Sequence, residues 1–208
     1  MTLIGGLQIG FVFILLLVLT KPLGLYLYNV YEKPLPFLFL RRFEEIIFRL
    51  GGIKNEGQGW KAYMLSLVLF NVIGIFVVFL IQIFQNYLPL NPQKLPAVSW
   101  DLALNTAVSF ATHTNWQAYS GETTMSYFTQ MIGLTWQNFC AAGTGIAAFL
   151  ALARGLAHHS VDEDDCMIGN FWVDLIRSIL YVFLPGCFIF SLLLVYQGVL
   201  QNFSPTLD

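Results

Sequence analysis

Charge is what this sequence has least of. Only 11% of its 208 residues are Asp, Glu, Lys or Arg, against roughly a quarter in an average soluble chain. With 57% hydrophobic residues, that shortfall points away from a water-soluble domain. The net charge of −2 argues against a general nucleic-acid binder. Cysteine is sparse too. Cys140, Cys166 and Cys187 have no metal-ligand spacing, and the first and last fall in apolar runs, as small packing residues do. No nucleotide or phosphorylation motif is present. Leu3 to Thr20 has no basic segment before it, and Lys21-Pro22 rather than a small-residue cleavage site follows it. It reads as a retained helix, not a secretory leader.

What remains is long apolar runs. A spanning helix needs about 20 mostly apolar residues. Four segments qualify: Leu3 to Tyr26, the uncharged Ala62 to Phe84, a stretch within the uncharged Thr123 to Ala153, and Trp172 to Gln197. Pro185 is expected to kink the last, because it lacks a backbone donor and clashes with the preceding turn. Eight of the ten basic residues fall between the first and second helices, between the third and fourth, or in the first turns of the fourth: Lys33, Arg41, Arg42, Arg49, Lys54, Lys61, Arg154 and Arg177. The positive-inside rule then puts those segments in the cytoplasm and the N-terminus outside. Lys21 can snorkel to the interface.

The segment from Gln85 to Ser126 carries the chemistry. Pro89, Pro92 and Pro96 stiffen its entry. Ser99-Trp100-Asp101 suits a helix start, with a side-chain acceptor and an acid at the positive dipole end. The apolar run Leu102 to Ala111 would rise only about 15 Å, about half a hydrocarbon core. It is too short to cross and too apolar to lie free in water. A half-helix that dips in and returns satisfies both conditions. The polar stretch Thr112-His113-Thr114-Asn115-Trp116-Gln117 follows. Irregular backbone at membrane depth occurs where it is buried in protein or lines a watery path. Its carbonyls can replace the hydration shell of a monovalent cation, and the half-helix would aim its own C-terminal carbonyls at the same point. The alternative is an external loop lying on the membrane, anchored by Trp100, Trp116 and Tyr119.

The expected fold is therefore an all-α membrane protein with four transmembrane helices and one re-entrant pore loop. Its parts are an N-terminal helix (1–27), a cytoplasmic loop (28–61), a helix–pore-loop–helix repeat (62–153) with filter segment 112–117, a second cytoplasmic loop (154–171), and a last helix with an extracytoplasmic tail (172–208). Two further features are weaker. His158-His159 and Asp162 to Asp165 suggest a solvated loop more than a metal site, since adjacent helical residues point about 100° apart. Asp174 and Arg177 are spaced i, i+3 and can pair.

The residues Asn91 to Pro96, Ser99 to Phe110, Thr114 to Gln117 and Tyr119 to Thr124 resemble the KdpA family. So do Lys21-Pro22-Leu23-Gly24, Trp60-Lys61 with Tyr63, Gly133-Leu134-Thr135 with Gln137-Asn138-Phe139, and Trp172 to Leu175 with Arg177. The resemblance implies a fold of four helix–pore-loop–helix repeats, each donating one strand of a K⁺ filter. It implies a non-hydrolysing, K⁺-binding subunit of a P-type potassium pump in the bacterial inner membrane, beside the ATPase KdpB and the smaller KdpC and KdpF. The implied K⁺ filter residues are Thr112, His113, Thr114, Asn115 and Gln117. Family members are more than twice as long, so this chain is expected to be a truncated or split product with one filter strand of four. A stand-alone oligomeric channel and a non-transporting fragment stay open. The chain departs from the family at His113, where asparagine is usual. A backbone carbonyl ligand would be unaffected; a protonated imidazole near the ion would repel it.

Overall fold

The structure is a computed structural model that describes residues 2–33, 38–157, 167–199 and 203. Within them it is helical, and the only β pairing among the described residues is the isolated bridge Gly59–Met167. Among the described residues four helices are long and apolar enough to cross a membrane. The chain divides into two compact units near residue 50.

The first unit holds α1 (Leu3–Glu32) and α2 (Leu38–Gly51). The Thr2 side chain caps α1 by accepting from the Gly5 N–H at 3.3 Å. Leu7, Phe11, Ile14, Leu17 and Val18 are all exposed. An exposed, almost wholly apolar helix surface over these residues matches hydrocarbon surroundings. α1 runs past the Tyr26 expected from hydropathy. α2 lies inside the stretch expected as a loop, and apart from the buried Glu44 its charged residues lie away from its apolar stripe.

The second unit begins with α3 (Trp60–Ile83) and a single 3₁₀ turn (Gln85–Tyr87). α4 (Trp100–Ala111) and the short α5 (Gly121–Thr124) follow, then α6 (Thr129–Ala157) and α7 (Phe171–Tyr196). α4 packs along α3. Its buried Ala103, Ala107 and Phe110 are spaced on one stripe and form a core with Val78, Val98, Met125 and Leu134. The alanines let the two backbones approach, as small residues do in membrane packing. A second core joins Tyr63, Ala147, Phe171 and Leu175.

Both long C-terminal helices contain a wider π stretch, Thr129–Thr135 in α6 and Ser178–Phe183 in α7. The second ends two residues before Pro185. A proline there cannot donate to the preceding turn, and a π segment is one known way for a helix to absorb such an interruption.

The start of α7 is clamped. Asp174, 2% exposed, accepts from Arg154 Nη1 at 2.6 Å and Nη2 at 3.2 Å, and from the Tyr63 hydroxyl at 2.9 Å. A bidentate guanidinium–carboxylate pair is the strong form of this contact. This guanidinium comes from α6, and Arg177, one turn on from Asp174 as its spacing suggested, acts on the same carboxylate through its charge. Gly169 has φ +103°, and a Cβ there would collide with the Arg154 guanidinium. Asn170 caps the helix by accepting from the Trp172 and Val173 N–H groups. Its amide also donates to the carbonyls of Lys54 and Glu56. The His158-His159 and Asp162 to Asp165 features lie outside the described residues. Among the described residues no group of three or more His, Cys, Asp or Glu is placed to hold a metal.

Candidate functional site

One side chain sets the mouth of the loop. Gln85 is fully buried. Its Nε2 donates to the Pro96 carbonyl at 2.6 Å, before α4, and to the Thr124 carbonyl at 2.9 Å, after the return. Its Oε1 accepts from the Ser126 N–H and the Thr129 hydroxyl, both at 3.1 Å. The chain therefore leaves the C-terminal end of α3 and comes back to it. Gln82, one turn earlier, donates to the Ala103 carbonyl at 3.1 Å and fixes the top of α4. Sequence reasoning missed both glutamines. They pair across 39 and 21 residues, and no local pattern reveals such partners.

At the far end of α4 the backbone turns on Ser109. Its carbonyl accepts from the N–H groups of Thr114 (3.0 Å) and Asn115 (3.3 Å) and from the Thr114 hydroxyl (3.0 Å). The His113 N–H donates to the Phe110 carbonyl at 3.3 Å. The Ser109 hydroxyl reaches forward to the Trp116 carbonyl at 3.0 Å. His113 (φ +58°) and Asn115 (φ +55°) adopt the left-handed conformation. Histidine and asparagine enter that region more readily than most residues.

The orientation of the carbonyls follows. None of the described peptide bonds is cis. In a planar trans peptide the N–H of one residue points opposite to the C=O of the residue before it. The N–H groups of His113, Thr114 and Asn115 all point back at the end of α4. The carbonyls of Thr112, His113 and Thr114 therefore point away from it, in succession. Thr112 and Thr114 share a hydroxyl contact at 3.0 Å, and the Thr112 hydroxyl also donates to the Val108 carbonyl at 2.9 Å.

In the last turn of α4 the carbonyls of Val108, Ser109 and Phe110 accept from the N–H groups of Thr112 to Asn115. Thr112, His113, Thr114 and Asn115 come together around Ser109, but Gln117 stands apart, its Nε2 donating to the Tyr119 hydroxyl at 3.2 Å. Ser109 lies within the apolar run Leu102 to Ala111. Its signal was its place in the last turn before a hydroxyl-rich stretch. Beyond the strand, Glu122 accepts from the Ser120 hydroxyl at 2.8 Å. Its own backbone N–H and that hydroxyl hold its carboxyl below the usual range, so it is an anion at neutral pH.

Fold and site together define a helical membrane protein with a helix–loop–helix unit whose loop presents a row of backbone oxygens. The family model described as potassium-transporting ATPase A subunit, KdpA, matches residues 10–208, and the chain belongs to that family. Relatives named potassium-transporting ATPase potassium-binding subunit include one from Leptospira interrogans serogroup Icterohaemorrhagiae serovar Lai, 52% identical over 95% of this chain and 34% of its own length. One from Yersinia enterocolitica is 51% identical over 95% of this chain and 34% of its own. One from Escherichia coli O139:H28 is 48% identical over 97% and 35%. The chain spans about a third of the length of these curated relatives.

Proposed function

We propose that this chain forms the first of four filter-bearing repeats of a K⁺-importing pump. The loop 97–123 dips into the bilayer from the outer side and offers the carbonyls of Thr112, His113 and Thr114 to K⁺, with Asn115 and Gln117 at the rim. The observation that carries this reading is the common outward direction of the three carbonyls. A dehydrated monovalent cation needs several oxygens at once. One strand offers three in a row, and equivalent strands around one axis would complete the shell. Glu122 adds a cation-attracting charge at the outer end. Ion binding by backbone oxygen also explains how His113 substitutes for the asparagine usual in the family.

The wider assignment rests on kinship. The relatives are named as potassium-binding subunits. ATP hydrolysis would belong to a P-type partner, KdpB, with KdpC and KdpF completing the assembly in the bacterial inner membrane. The N-terminus would face outward.

The test is Gln117→Arg in the complete complex, with ATPase activity followed against K⁺. A like charge at about 8 Å and an effective dielectric constant of about 40 repels by about 1 kcal/mol, or about fivefold in affinity. Half-maximal stimulation should need about fivefold more K⁺. An unchanged K⁺ dependence would remove Gln117 from the rim.

A further inference from the structure

We infer that α2 is an in-plane helix that rests on anionic phospholipid headgroups. Phe43, Ile46 and Leu50 stand at i, i+3 and i+7, one stripe of a helix, and are 47%, 53% and 84% exposed. Ile47, half-buried, extends the stripe. Arg41 and Glu45 occupy the opposite face, Arg42 and Arg49 flank the stripe, and all four are exposed. Arg41 is engaged with Glu45 at 3.1 Å, which leaves Arg42 and Arg49 beside the apolar stripe. A sharply two-faced helix of low overall hydrophobicity with basic residues flanking its apolar face is the pattern of an interfacial helix.

The preceding span sets its level. The 30 residues of α1 rise about 45 Å, close to the 40–45 Å of a bilayer with its headgroups. α1 therefore ends among the headgroups. Five residues separate its end from the start of α2, a reach of at most about 20 Å. A short tether from the headgroup layer, a largely exposed apolar stripe and two arginines at its edge fit a membrane surface. A protein partner would need the stripe to be sealed from lipid as well as from water.

The test uses the full chain in vesicles of phosphatidylcholine with phosphatidylglycerol, with Cys140, Cys166 and Cys187 replaced by alanine. Single spin labels go at positions 43, 46 and 50 and at 42, 45 and 49. Accessibility to oxygen, which concentrates in lipid, is compared with accessibility to an aqueous nickel chelate. The oxygen-to-nickel ratio should be several-fold higher at the first three positions. Arg42→Gln with Arg49→Gln should lower it there, as should vesicles without phosphatidylglycerol. High nickel access at 43, 46 and 50 would mean the stripe lies in water. Low access to both reagents in the assembled complex would mean that protein covers it. Either result overturns the inference.

Discussion

Replacing Gln85 by methionine keeps the size of the side chain and removes its four polar contacts. The Ser126 N–H, from a residue only 2% exposed, would lose its acceptor. A buried group left unsatisfied costs about 1–3 kcal/mol. The Pro96 and Thr124 carbonyls lie nearer to water, and each loses an ordinary hydrogen bond of about 0.5–1.5 kcal/mol. The Thr129 hydroxyl keeps its contact with the Ser126 hydroxyl at 3.0 Å and loses less. The expected loss is about 3–5 kcal/mol, concentrated at the neck of the loop. Reversible unfolding in mixed micelles measures the total. Hydrogen exchange over 97–123 shows where it falls, and protection there should drop before protection in α3. The same change at the exposed Gln117 is the control and should stay within about 0.5 kcal/mol. If Gln85→Met costs less than about 1 kcal/mol, or leaves exchange in the loop unchanged, Gln85 does not hold the neck closed.

The remaining predictions concern single contacts. Gly74→Ala would place a Cβ 2.7 Å from Gln137 Oε1 and should cost about 1–3 kcal/mol; because Gln137 Nε2 is buried without a partner, Gln137→Ala should rescue it in a double-mutant cycle of unfolding free energies. Arg154→Leu should cost about 3–5 kcal/mol by stranding Asp174, and the further change Asp174→Leu should recover part of that stability. His113→Asn should leave stability unchanged, whereas His113→Val, β-branched at a positive φ, should cost about 1–2 kcal/mol; thermal unfolding in detergent compares the two.

The spans were legible because lipid demands long uncharged runs: α3 and α7 agree with the expected limits to within two residues, and α6 begins inside its expected interval and runs four residues past Ala153. α2 was hidden because its segment was weighed by its charges, while its stripe of Phe43, Ile46 and Leu50 shows only at helical period. The position of the loop was legible from length and polarity, and so was the clustering of Thr112 to Asn115. The contacts that shape it were not. Ser109, Gln82 and Gln85 act through carbonyls brought near by the fold, and a residue type does not announce which carbonyl it will meet. The direction of the three carbonyls depends on two left-handed residues. Asn115 suits that conformation, and His113 hints at it only weakly.

The π stretches in α6 and α7 bear on how these helices fit a membrane. Each fits more residues into a turn than an α-helix does, so each adds a residue with less than the usual rise. At about 1.5 Å per residue the 29 residues of Thr129–Ala157 would extend about 44 Å, well beyond the hydrocarbon layer. The true span is shorter. The π stretch also turns the rest of the helix relative to its start, so a wheel drawn from Thr129 with 3.6 residues per turn would misplace the face on which Gln137 meets Gly74. Deleting one residue within Thr129–Thr135 would restore a plain α-helix and swing that face away from α3. In α6, a one-residue change in length is a change in direction.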